Sequence, residues 1–284
     1  MTARVAAFLL LVSCLSWHCS RSQQQHVKQV ITGTPEVSYK SIGAIPLPKG
    51  FKRVAAPAGS FGAWLRQVAL KADKTVYLYN GTLKNNQTAQ FAVLDIPVGE
   101  KDLQQCADAV MRLYAEYQFA NGRYEQIRFN ATDGSPMDYA SWMQGYRFSE
   151  KNNRLMKQLT AAPCKGHECL DNYLQTVFSW AGTYSLSKEL LRVPDINDIA
   201  PGYVFIKGGS PGHAVIVADV AYNPTTGKKI FLLAQSYMPA QDIHILQNPY
   251  PSDAETPWYS ADMPGKQLNT PEWVFTGDQL KRFP

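Results

Sequence analysis

Three side chains in this sequence have the types that acyl transfer by a nucleophile requires: Cys106 in DLQQCADAVMRLYAEY, His213 in SPGHAVIVADV and Gln235 in FLLAQSY. A thiol attacks a carbonyl as its thiolate, and a helix amino terminus or a nearby imidazole favours that form. An imidazole takes and returns the proton, and an amide can hold its ring in one tautomer. Each residue also has a plain structural reading. Cys106 shares a helical face with Val110, Leu113 and Tyr117, where a free cysteine packs as a small hydrophobe. A histidine at the start of a strand is compatible with packing alone. Gln235 is harder to explain that way, because a fully packed FLLAQSY strand would favour another apolar residue there.

The elements that must position these groups follow from hydrophobic period and turn residues. Residues 34–100 are rich in short β-type runs, TVYLYNGT and AQFAVLDIPVG among them. Asp102 is the expected N-cap of a helix from about Leu103 to Ala120, ending at Asn121-Gly122, with Asp108 serving its first turn electrostatically. A second helix is expected from about Cys169 to Ala181. GYVFIKGG, HAVIVADVAYN and KKIFLLAQSY read as strands, the last two forming a hairpin closed by NPTTGK. In that hairpin residues near Ala214 to Val217 face those near Gln235, and a register giving Gln235 the parity of His213 would let its amide accept the imidazole N–H. His244 in QDIHIL alternates with apolar neighbours and is expected to face outward. The irregular stretch NATDGSPMDYASWMQGYRF offers Tyr139, Trp142, Tyr146 and Arg147 either to a substrate groove or to aromatic packing. The proline-rich segment from Asn248 onward reads as an extended wrap. The expected class is α+β: a β-rich part over 34–100, and over 101–284 an antiparallel sheet packed on the cysteine-bearing helix.

With 284 residues, 45% hydrophobic and 18% charged, the chain can bury a sizeable core. Its net charge of +5 is scattered, without the Lys/Arg stripe of a nucleic-acid-binding face, so no nucleic acid partner is expected. KGGSPG lacks the Gly-Lys-Ser/Thr ending of a phosphate-binding loop. Cys164 and Cys169 bracket CKGHEC and are either a small disulfide ring or surface thiols. His167 between them suggests metal, but no neighbouring residue supplies a fourth ligand, so neither metal nor organic cofactor is expected.

MTARVAAFLLLVSC, with Arg4 before an apolar run and Leu11, Val12 and Ser13 before Cys14, resembles a bacterial lipoprotein signal. The resemblance implies removal of residues 1–13, a lipid on Cys14 and a place in the bacterial cell envelope, at the outer membrane or surface. The alternative is an ordinary secretory signal cut further along. Residues 14–33 read as a polar tether.

Cysteine on a helix, then histidine opening a strand, then a polar residue on the next strand: this order resembles papain-like enzymes, nearest to the NlpC-type and CHAP peptidase/amidase families. That resemblance implies a papain-like core with Cys106 as nucleophile, His213 as general base, Gln235 as orienter, and the Cys106 N–H, with Gln104 or Gln105, at the oxyanion site. It further implies cleavage of an amide bond, for which the envelope location suggests cell-wall peptides. Gln-Cys-Ala stands where those families carry Asp-Cys-Ser, and Gln where they carry His or Asn. Over most of the chain, DLQQCADAVMRLYAEY, VFIKGGSPGHAVIVADV and FLLAQSYMPAQDIHIL resemble a family of bacterial exported lipoproteins classed as a domain of unknown function. The rival reading is an anchored protein that grips a glycan or peptide in the same cleft without turnover.

Overall fold

The run HAVIVADV alternates its side chains between two apolar layers, and that alternation organises the molecule. The structure, a computed structural model, describes residues 39–152, 154–251, 257–263 and 266–284. Cys14, the signal and the tether lie outside the described residues. Nine strands form one sheet: β1 (Lys52–Arg53), β2 (Gln90–Val93), β3 (Leu191–Arg192), β4 (Val204–Lys207), β5 (His213–Tyr222), β6 (Lys229–Gln235), β7 (His244–Leu246), β8 (Tyr259–Ser260) and β9 (Leu280–Arg282). Their order is β2-β7-β6-β5-β4-β9-β3, with β1 added on β5 and β8 on β6, and every pairing is antiparallel.

Five α-helices accompany the sheet among the described residues: α1 (Phe61–Gln67), α2 (Cys106–Ala120), α3 (Tyr139–Met143), α4 (His167–Trp180) and α5 (Thr183–Glu189). Ala214, Ile216 and Ala218 of β5 belong to the layer that includes Val110, Leu113 and the apolar face of α4. Val215 and Val217 pack on the other side with Phe205, Phe231 and Phe275. Small residues on the helical side let α2 approach the sheet closely. Asp219, fully buried, accepts from Arg53 at 2.6 Å and Arg66 at 2.7 Å, which ties β1 and α1 to β5. The molecule is thus a mixed α and β fold with antiparallel sheets, as composition and period lead one to expect.

Several local expectations are corrected. Asp102 does not cap α2; the helix starts at Cys106 behind Gln105, whose N–H donates to the Asp108 carboxylate at 3.0 Å. Asp102 instead accepts from the Ala240 N–H at 2.7 Å, which holds the loop after β6 against the approach to α2. TVYLYNGT forms no strand, only isolated bridges from Tyr77 to Leu83 and from Leu78 to Gln241, because Asn80-Gly81 turns the segment back on itself. The stretch expected to be irregular contains α3 between two hairpins, residues 128–138 and 146–159. Cys164 and Cys169 are joined as a disulfide just ahead of and within the first turn of α4. No helix among the described residues is long and apolar enough to cross a membrane.

Candidate active site

Cys106 is the first residue of α2, and its own N–H cannot be used inside the helix. The sulfur lies against the backbone N–H groups of Ala214, Ala107 and Cys106 itself. Burial nevertheless dominates: with 6% exposure the thiol is pushed up to about 11, the nearby Asp108 adding to the rise and the three N–H groups opposing it. The helix amino terminus expected to produce a thiolate is therefore outweighed by desolvation, and the resting group is a thiol.

His213 opens β5 with 1% exposure. The β5–β6 register, Ala234 opposite Ile216, gives Gln235 the same face as His213, and the two are bonded, Nε2 to Oε1, at 2.8 Å. The tautomer follows from the next hydrogen bonds outward. Gln235 Nε2 donates to Glu272 Oε2 at 2.8 Å and lies 3.5 Å from His244 Nε2. His244 Nδ1 faces the Asp242 carbonyl at 2.9 Å and so carries the proton, leaving its Nε2 as an acceptor. Two acceptors thus fix the amide nitrogen of Gln235, its oxygen must face His213, and His213 must carry its proton on Nε2. The lone pair sits on Nδ1, which is buried with no hydrogen-bond partner among the described residues. Desolvation lowers His213 to about 4, with Gln235 and the Glu272 charge acting the other way. His244, expected to face outward, is wholly buried and lowered to about 4 for the same reason, desolvation.

Cys106 and His213 are neighbours without a direct hydrogen bond: the sulfur adjoins the amide of Ala214, one residue from the imidazole. Ser236, next to Gln235, accepts from the Gln241 N–H and places its Oγ 2.8 Å from the carbonyl of Gln104, two residues before Cys106. The end of β6 and the approach to α2 are thereby clamped together. On the other side, Gly212 fits because a Cβ there would come 2.4 Å from Thr183 Oγ1 and 2.3 Å from the Gly209 carbonyl oxygen. The loop before His213 is thus seated tightly on the start of α5. Tyr237, Trp273 and Phe275 surround the imidazole with ring centroids at 5.0, 5.3 and 5.8 Å. Of the two glutamines considered for the oxyanion site, Gln105 is committed to capping α2 and to Asp102. Gln104 keeps a buried Nε2 without a partner, its Oε1 taken by Arg112.

A groove of about 710 Å³ lies between α4 and residues 101–103, the segment that leads into Cys106. Trp142 and Arg147 line it, with Phe148 and Trp180. Tyr139 does not; it is fully buried, packed on Tyr173 at 5.2 Å, because α3 turns it inward under α4. Near the disulfide, His167 bonds Glu116 at 2.8 Å and Asp171 at 3.1 Å, and both carboxylates also pair with Arg112. These ligand-type groups lie close enough to hold a cation, but Arg112 already supplies the positive charge between them.

Glu272, Lys84 and Tyr237 are the site residues that sequence reasoning does not find. Glu272 offers one faint signal, a carboxylate between Pro271 and Trp273. Residues 43–282 match the model of a family described as domain of unknown function (4846). No curated protein and no solved structure matches the chain.

Proposed function

Because the chain belongs to the domain of unknown function (4846) family, we propose its activity from the site itself: a cysteine hydrolase that cleaves amide bonds by a Cys106–His213–Gln235 arrangement on a papain-like core. The observation that carries this reading is the buried, unpartnered Nδ1 of His213 beside the thiol-bearing end of α2. Hydrogen bonds from three strands and the 267–276 hairpin hold that lone pair ready and use it for nothing else. A buried acceptor left unpaired costs about 1–3 kcal/mol, and a proton that arrives during reaction would offset that cost.

With thiol and imidazole both neutral at rest, proton transfer accompanies attack. As the S–C bond forms at the substrate carbonyl, the thiol proton passes to Nδ1, and the carbonyl oxygen takes the charge and a hydrogen bond from the Cys106 N–H. Collapse breaks the C–N bond, and Nδ1–H protonates the departing amine. Water then adds to the thioester, giving its proton to Nδ1, and the acid leaves as the thiol is restored. The imidazolium formed midway donates through Nε2 to Gln235, whose amide is polarised by the Glu272 carboxylate.

Amide bonds of cell-wall peptides are the proposed substrates, reached by an exported protein held in the bacterial envelope, at the outer membrane or surface, by a lipid on Cys14. The experiment is incubation of purified cell-wall peptides with the wild type and with Cys106→Ala, followed by mass spectrometry. New amide-cleavage products with the wild type alone are expected, and identical profiles overturn the proposal. The burial of Cys106 favours a second reading, a binding protein that grips a glycan or peptide without turnover; it predicts equal binding by both proteins and no products.

A further inference from the structure

One groove carries an arginine that is fixed in place yet meets no carboxylate among the described residues. Arg53, Arg66, Lys84 and Arg112 each meet a carboxylate within 3.2 Å. Arg147 and Lys101, which line the groove beside α4, meet none among the described residues. Lys101 donates only to the neutral Gln175 Oε1, at 2.9 Å. Arg147 is held in place by stacking, its guanidinium carbon 4.0 Å from the Trp142 ring centroid. Its Nη1 makes both of its hydrogen bonds, to the carbonyls of Trp142 at 3.0 Å and Tyr146 at 2.7 Å. Nε and Nη2, the two parallel donors that a carboxylate accepts side by side, are left over. Asp102 is the groove's one carboxylate, and its Oδ1 is turned to the Ala240 N–H and to Gln105.

We propose that this groove binds a carboxylate on Arg147, with Lys101 adding to the field, and that the chain's substrate is a peptide carrying a free carboxylate near the amide to be cleaved. The inference deepens the hydrolase reading and rests on it for the cleaved bond, but not for the binding site. The rest of the lining suits a peptide. Asn172, Gln175, Thr176 and Ser179 fall along one face of α4: the amide N–H groups of Asn172 and Gln175 can donate to a backbone C=O, and the hydroxyls of Thr176 and Ser179, which donate to the carbonyls of Asn172 and Gln175, keep lone pairs for a backbone N–H. Phe148 and Trp180 supply apolar contact. Asp102 is four residues from Cys106, so the groove wall lies within about 14 Å of it along the chain, a span that about four extended peptide residues cover. Arg147 lines the same groove, so a carboxylate bound there is a peptide end or acidic side chain of a peptide whose chain continues past Asp102 toward Cys106.

The test uses the protein carrying Cys106→Ala, so that turnover does not enter, and isothermal titration calorimetry with N-acetyl-tetraalanine as the free acid and as its carboxamide. The acid should bind about tenfold or more tightly than the amide, the range that charge-assisted hydrogen bonds supply. Adding Arg147→Gln should bring the two within about twofold of each other, adding Lys101→Gln should reduce the preference partly, and Arg147→Lys should restore less than the wild-type preference. Circular dichroism of each variant confirms folding, and Lys101→Gln, an exposed change, keeps the test open if an Arg147 variant does not fold. Equal affinity for acid and amide, no binding of either at millimolar concentration, a preference that survives Arg147→Gln, or displacement by equimolar inorganic phosphate each overturns the proposal. Acid-selective binding with no cleavage by the wild type leaves the site standing and removes the hydrolase reading; cleavage without acid preference does the reverse.

Discussion

Replacing Glu272 by Gln tests how the base is held, because it removes a charge from a pair that the fold has closed off. Lys84 and Glu272 retain 6% and 13% side-chain exposure. One carboxylate oxygen of Glu272 meets Lys84 Nζ and the other accepts from Gln235, while Lys84 also donates to the Asn86 carbonyl at 3.0 Å. In Glu272→Gln the ammonium stays buried with one neutral partner, and removing one member of a buried pair costs about 3–5 kcal/mol. Lys84→Met should fall at the lower end of that range, since the carboxylate left behind still accepts from Gln235 and Asn86. Glu272→Gln with Lys84→Met leaves no unpaired charge, so its cost should lie below the sum of the single costs by about 1.5–3 kcal/mol. Urea unfolding followed by tryptophan fluorescence gives the three free energies by linear extrapolation. In the same samples, ¹⁵N shifts of His213 should report Nε2–H in the wild type and a mixture of tautomers in Glu272→Gln. Costs that add to within about 0.5 kcal/mol would mean that the two charges do not sense each other, and the account of the fixed amide would fail with them.

Two further outcomes follow from the buried thiol of Cys106 and the buried imidazole of His244. With its thiol at about 11 instead of the ordinary 9.0, Cys106 should react with iodoacetamide about a hundredfold more slowly than an exposed cysteine at pH 8, its rate rising about tenfold per pH unit until near pH 11; a rate already level at neutral pH would reveal a resting thiolate. His244, lowered from 6.5 to about 4, binds its proton less readily folded than unfolded, so the stability it contributes is full above pH 6.5 and is lost, by about 3 kcal/mol, as pH falls toward 4. Glu189, raised to about 7, and Asp108, also raised, act oppositely as acid is added, so the quantity to measure is the wild-type stability minus that of His244→Gln. That difference should shrink between pH 7 and pH 4, and a constant difference refutes the assignment.

What was legible in the sequence was what depends on neighbours in the chain. The alternation in HAVIVADVAYN and the turn NPTTGK locate β5 and β6, but the turn's register, with Lys229 opposite Tyr222, would turn Gln235 away from His213; the one-residue shift between Leu232 and Leu233, which the sequence does not announce, brings the two to one face. The boundary of α2 was legible only to within a turn, because Asp102 and Gln105 are both plausible caps and the choice was made by Ala240, a residue 138 positions away. Lys84 and Glu272 are 188 residues apart, so no local pattern couples them. Tyr139, Trp142 and Arg147 illustrate a different limit. Residue type names an aromatic cluster, but which ring enters the core depends on the rotation of a five-residue helix against α4. His244 was misjudged because alternation of polar and apolar residues implies one wet face, whereas the helices and the wrap cover both faces of this sheet.

The wrap also explains why the base is poised as it is. Trp273 and Phe275 come from the short hairpin near the end of the chain, and they cover the ring of His213 with the same segment that delivers Glu272 to Gln235. Covering the ring without the carboxylate would depress the imidazole and make its protonated form costly at the moment of proton transfer. Delivering the carboxylate without the cover would stabilise imidazolium at rest and occupy the lone pair that must stay free. Placing both on one hairpin couples the two effects, and Lys84 balances the carboxylate while the imidazole is neutral. The pair Cys106 and His213 therefore depends on a segment more than fifty residues beyond the histidine. Disrupting the hairpin, for example by Phe275→Ala, should raise the His213 pKa toward its ordinary 6.5 and shift its ¹⁵N titration upward while leaving the β5–β6 register intact. An unchanged titration would place the source of the desolvation in the sheet itself.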